Sequence, residues 1–102
     1  MILLDAASHA RGETHFLDDW PEPANLLWGA AAVSTVAHGR MVHMESGPAV
    51  AVQGVTAVYT ADSIPGKNQI GGILEDEPLL ASDVTDFIGQ PIALVLADSP
   101  EA

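Results

Sequence analysis

Gln53-Gly54-Val55-Thr56-Ala57-Val58-Tyr59-Thr60-Ala61-Asp62-Ser63-Ile64-Pro65-Gly66 is the stretch on which the fold turns. Gly54 can adopt the left-handed conformation that stops a helix. Ahead of it, Ser46 can act as a cap and Pro48 falls in a first turn, where no amide partner is needed. A helix of about two turns is therefore predicted before Gly54. Val55 to Tyr59 follows as a strand, with Val55, Ala57 and Tyr59 on one face. Thr60 to Ile64 has room for at most one helical turn before Pro65. A short helix, a strand and a turn in this order indicate an α+β chain.

Toward the N-terminus, Leu26 to Thr35 is a mostly apolar run with Gly29 and three alanines inside it. Its length allows helix or strand. The entry Trp20-Pro21-Glu22-Pro23, a turn because its prolines rule out regular structure, favours a strand, as does the exit at Val36-Ala37-His38-Gly39. Arg40 to Glu45 alternates and reads as the next strand. Residues 6–15 show no period and read as an extended lead-in.

Toward the C-terminus, Pro65 to Asp76 is a long loop with Gly66, Gly71 and Gly72. A structureless loop of about twelve residues is uncommon in a small domain and is often functional. Leu79-Leu80-Ala81 suggests a short strand. Ile92 to Ala97 is almost continuously apolar, the pattern of a central strand covered on both faces. Ser99-Pro100-Glu101 is a helix opening. With Ala102 as the last residue, the helix it announces is expected in a longer parent protein.

The length of 102 residues suits a single domain, spanning residues 1–102. Fourteen acids against Arg11, Arg40 and Lys67 give a net charge of -11. Three scattered cations cannot form the stripe that nucleic acid or an anionic membrane requires. The acidity fits a soluble protein, or one whose acidic face meets a basic partner. The absence of cysteine excludes disulfides, thiolate metal sites, iron–sulfur ligation and a cysteine nucleophile. No apolar run approaches the ~20 residues that span a membrane. Met1-Ile2-Leu3-Leu4-Asp5 is too short for a signal peptide and lacks its basic start, so a cytoplasmic location is the default.

No self-sufficient active site emerges. His9, His15, His38 and His43 lack zinc-site spacing and read as surface or turn residues. Glu75-Asp76-Glu77 reads as a solvated acidic run rather than an acid–base pair. Gly66-Lys67 resembles the end of a phosphate loop, but Ala61 stands where that motif needs glycine and Asn68 where it needs Ser or Thr. There is no Gly-x-Ser-x-Gly elbow for a nucleophile.

Taken in order, the segments resemble the α/β-hammerhead domain of the xanthine dehydrogenase and aldehyde oxidase family. Arg11-Gly12-Glu13-Thr14-His15-Phe16-Leu17-Asp18-Asp19 is similar to its opening motif of Arg-Gly, a small residue, an aromatic and two aspartates. Val36-Ala37-His38-Gly39-Arg40 is similar to its Ala-His-x-Arg/Lys-Ile turn. Gln53 to Gly66 resembles its Pro-Gly-Val…Ala-x-Asp-Ile-Pro-Gly signature, with Gln53 in place of the usual proline. Residues 67–80, ending in Asp76-Glu77-Pro78-Leu79-Leu80, are most similar to the xanthine dehydrogenase branch, and Gly89-Gln90-Pro91-Ile92-Ala93 completes the set.

The resemblance implies an α+β hammerhead fold: a mixed β-sheet with short helices, its C-terminal helix and following strand lying beyond this chain. It implies a parent oxidoreductase that hydroxylates a purine or similar heterocycle at a molybdenum–molybdopterin centre. Iron–sulfur clusters and FAD would sit on partner domains or subunits of an oligomeric parent. Catalytic and pterin-binding residues belong to regions downstream, so no catalytic, cofactor-binding or metal residue carries over. The loop Gly71, Gly72, Ile73 and Leu74 would line the substrate funnel, where two apolar side chains admit a flat ring and exclude water. Alternatives are packing of that loop in a domain interface, another branch of the family (aldehyde oxidase, nicotinate or carbon monoxide dehydrogenase), or a free-standing acidic module that binds a basic protein.

Overall fold

A computed structural model describes residues 4–102. Met1-Ile2-Leu3, read above as too short for a signal peptide together with Leu4 and Asp5, lie outside the described residues. The apolar run near the C-terminus organises the rest. It forms β5 of the chain, whose strands in order are β1 (Trp28–Val33), β2 (Gly39–Arg40), β3 (Val55–Thr60), β4 (Val84–Thr85) and β5 (Pro91–Ala97). β5 is central, as its sequence predicts, in a sheet of order β1-β5-β3, and β2 pairs with β4 in a second, smaller sheet.

All three described strand pairings are antiparallel. The α+β class therefore stands, while the strands run antiparallel throughout where a mixed sheet was expected. An antiparallel sheet needs no helical crossover between neighbouring strands, which matches how little helix there is. Two short helices, α1 (Ala6–Arg11) and α2 (Gly47–Val50), join single 3-10 turns at Leu17–Asp19 and Ala61–Ser63.

Several local expectations are corrected. Residues 6–11 are helical, not extended: Ala6 and Ala7 are strong helix formers, and Gly12 at φ 70° ends the helix with its N–H on the His9 carbonyl at 3.1 Å. The strand expected from Arg40 to Glu45 is paired only at its start, where Met41 N–H reaches the Asp83 carbonyl at 2.7 Å. Beyond that point no described segment runs opposite it. Residues 79 and 80 bend and residue 81 is irregular, so no strand forms there. Helix α2 forms with Pro48 in its first turn, but Ser46 does not cap it through its side chain. The helix is also four residues long where about two turns were expected, and it ends at Ala51 in a right-handed conformation; Gly54, at φ 94°, lies in the turn that leads into β3 and is not its stop. Residues 98–101 form bends and a turn after β5.

The register assigns the sheet's two faces. Trp28, Ala30 and Ala32 lie opposite Ala97, Val95 and Ala93, with Val58 opposite Val95 on the other side. The opposite face carries Ala31, Leu94, Leu96, Ala57 and Tyr59 by the same pairing. A register shift between Val55 and Ala57 puts Val55 opposite Ala97, so Val55 does not share a face with Ala57 and Tyr59 as expected. A bulge of this kind inserts one residue and inverts the alternation.

The apolar run of β5 asks for cover on both faces, and the chain supplies little. Buried apolar residues are Leu80, Ala81, Ala93 and Ala97, none of them a large, fully buried side chain. The chain exposes 8131 Å², where a compact chain of its mass would expose about 5,500 Å². Its radius of gyration is 18.8 Å, against about 13 Å for a compact domain of this length. The excess is of the size buried in an obligate interface, roughly 2,000 Å² or more. The chain by itself is therefore expected to bind an apolar dye such as ANS strongly and to unfold over a broad, low-temperature transition. A sharp calorimetric transition without dye binding would contradict this reading.

Candidate functional site

The long glycine loop is the one predicted feature with a defined geometry of its own. Its two limbs form no regular ladder, and two side-chain amides supply most of the hydrogen bonds between them. The half-buried Asn68 donates from Nδ2 to the Leu80 carbonyl at 2.6 Å, and its Oδ1 accepts the Leu80 N–H at 2.9 Å. A carboxamide has the donor and acceptor of a peptide group, so this ring of two bonds is what a paired strand residue would make. Further out, Ile70 N–H donates to the Glu77 carbonyl at 2.8 Å. Gln69 Oε1 accepts two backbone N–H groups, from Gly71 at 2.8 Å and from Glu77 at 2.9 Å.

Beyond these bonds lies the tip, residues 71–75. Gly71 is a steric requirement: a Cβ there would lie well inside contact distance of the Leu74 carbonyl oxygen. Gly72 faces open space and is under no such constraint. The tip turns Ile73 and Leu74 outward, 97% and 67% exposed. The Lys67–Glu75 ion pair at 2.6 Å spans the loop on its solvent side. Both partners are largely exposed, so the pair adds little to the loop's stability.

Beside the base of the loop is an open apolar groove of about 420 Å³, lined by Ala31, Tyr59, Ile64, Leu79, Pro91 and Leu94. It lies against the face of the sheet that carries Tyr59 and Leu94. The groove takes Leu79 and Leu80 from the C-terminal side of the loop and none of the tip residues.

The other sequence candidates do not converge. His38 Nδ1 sits 3.3 Å from Asp86 Oδ1, with both side chains exposed. His9 stacks near Phe16 and His15 meets Trp20 edge-on, at 6.0 and 6.4 Å between centroids. Glu75, Asp76 and Glu77 are exposed. Among the described residues, no three of His, Cys, Asp and Glu come together to hold a metal. The sequence has no cysteine, so it offers no thiolate ligand. Among the described residues no helix is long and apolar enough to cross a membrane. Asn68 and Gln69, whose side chains frame the loop, are residues that the sequence did not single out. Two consecutive amides opening a glycine-containing loop were the available signal.

The order of elements and the loop define a hammerhead domain, and comparison with known proteins agrees. The family model for the aldehyde oxidase and xanthine dehydrogenase α/β-hammerhead domain matches residues 11–102. The chain belongs to this family. It is 39% identical over 100 residues to xanthine dehydrogenase 1 of Arabidopsis thaliana, covering 98% of this chain and 7% of that protein. It is 36% identical over 100 residues to the nicotinate dehydrogenase large molybdopterin subunit of Eubacterium barkeri, covering 98% of this chain and 23% of that one. Among solved structures, the aldehyde oxidoreductase of Desulfovibrio gigas superposes with a TM-score of 0.82 at 28% identity, over 96% of this chain and 12% of that one. The chain thus spans less than a tenth of the xanthine dehydrogenases it matches.

Proposed function

We propose that this chain is a single hammerhead domain of a xanthine dehydrogenase-like molybdenum hydroxylase, and that the loop tip forms one wall of the funnel through which a purine or similar heterocycle reaches the reacting centre. The observation that carries the reading is Ile73, almost wholly exposed at the end of a loop held by side-chain and backbone hydrogen bonds. A large aliphatic residue held out in this way fits a second surface or a flat ring better than water. Molybdenum–molybdopterin supplies the oxidative hydroxylation chemistry in such an enzyme. It would be held by residues outside this chain, on the remaining molybdopterin-binding domains, with iron–sulfur clusters and FAD on further domains or subunits. This chain's part is to orient the ring and exclude water. The parent enzyme is cytoplasmic and oligomeric in this reading.

The excess exposed surface supports a domain that packs on others over a free-standing acidic module, which would close its own core.

The test uses the full-length protein that carries this chain. It is expected to contain molybdenum and to oxidise xanthine with a dye acceptor. Ile73→Ala with Leu74→Ala is expected to raise KM for xanthine by about tenfold at unchanged molybdenum content, the cost of losing part of an apolar wall. A protein without molybdenum, or a double variant with unaltered KM, would sink the proposal.

A further inference from the structure

We infer that Gln69 is a positioning residue for the substrate wall: its side-chain oxygen gathers the two limbs of the loop and so fixes where Ile73 and Leu74 stand. The inference rests on the funnel reading for its enzymatic consequence, while its structural part stands independently. The two accepted N–H groups come from opposite sides of the loop, Gly71 at the start of the tip and Glu77 after its end. A single acceptor at 2.8 and 2.9 Å to both holds the limbs at one separation, in a way that two separate bonds to water could not. The half-buried Gln69 emerges from a base already pinned by Asn68 to Leu80, so its carboxamide has a fixed origin.

Close approach within the tip depends on this separation. Gly71 packs so near the Leu74 carbonyl that no side chain fits between them. If the limbs part, Gly71 leaves Leu74, and the two apolar side chains lose the backbone that carries them. The neighbouring Lys67–Glu75 pair cannot substitute, because both groups are solvated and their side chains are long. Gln69 need not touch the substrate. It acts through the position of the two residues that do.

The experiment compares Gln69→Met, which keeps length and removes the acceptor, with Gln69→Glu, which keeps an oxygen able to accept both N–H groups. Both are made in the full-length protein. Amide exchange at Gly71 and Glu77 is expected to be about tenfold faster in Gln69→Met and close to the unsubstituted rate in Gln69→Glu. KM for xanthine is expected to rise about tenfold in Gln69→Met with kcat within about twofold, since a displaced wall weakens ground and transition states alike. Unchanged exchange in Gln69→Met would overturn the inference, as would equal acceleration in both variants. Faster exchange with rescue by Glu but an unchanged KM leaves Gln69 as the residue that sets the loop, and places the failure on the funnel reading. Ile73→Ala with Leu74→Ala would then also leave KM unaltered.

Discussion

Gly71→Ala is expected to raise KM for xanthine in the full-length enzyme by about ten- to a hundredfold, while Gly72→Ala beside it changes KM by no more than about twofold. The contrast follows from what a methyl group would meet. At Gly71 it would fall on the Leu74 carbonyl oxygen, a backbone atom that cannot rotate aside. The turn must open, carrying Ile73 and Leu74 away from the face they present. At Gly72 it would meet nothing. On the funnel reading proposed above, losing most of two aliphatic contacts with a bound ring removes about 1.5–3 kcal/mol, which sets the fold-change. Steady-state kinetics on the two variants checks it. Equal behaviour of the two would show that the tip does not govern access to substrate.

Asn68→Leu is expected to destabilise the loop base by about 2–4 kcal/mol, because it removes two hydrogen bonds and strands the N–H and C=O of a buried residue. Leu80 is 8% exposed, and the adjacent Ala81 donates its N–H to the Pro91 carbonyl at 2.9 Å. Loss of the Asn68 ring therefore loosens the attachment of the loop to the central strand as well as the loop itself. Asn68→Asp keeps the acceptor for the Leu80 N–H but sets a carboxylate against the Leu80 carbonyl, so it should recover only part of the loss. Hydrogen exchange of the Leu80 and Ala81 amides in the full-length protein reports both effects. Protection that survives in Asn68→Leu would remove Asn68 from the frame of the loop.

The parts of this fold legible from sequence are those governed by local rules. Gly54 suited a positive φ, Pro48 belonged in a first turn, and Ile92 to Ala97 had the composition of a central strand. Each is found where the local argument put it. The errors arise where a distant partner decides. Met41 to Glu45 alternates like a strand, but only Met41 finds an acceptor opposite it, at Asp83. Val55 left the face of Ala57 and Tyr59 because β5 sets the register there and forces a bulge. The short helix at residues 6–11 was hidden by the absence of an apolar stripe, since it is too short to show one. For the loop, its length and glycines drew attention, and the ordered motifs led to Ile73 and Leu74. Its internal frame was not legible, because Gln69 to Glu77 and Asn68 to Leu80 are pairings between side chain and backbone, for which no sequence period exists.

β1 has its own bearing on how the protein survives in a cell. It is the outer strand of its sheet, exposed along its whole length, and its sequence Trp28-Gly29-Ala30-Ala31-Ala32-Val33 holds no charge and no proline. Natural edge strands carry such residues to deter pairing with strangers. Here that guard is missing, so the unpaired hydrogen-bonding groups on the outer side of β1 are open to any extended chain. Substitutions that slow assembly of this region should therefore be recovered in inclusion bodies, while the molecules that escape aggregation keep normal turnover.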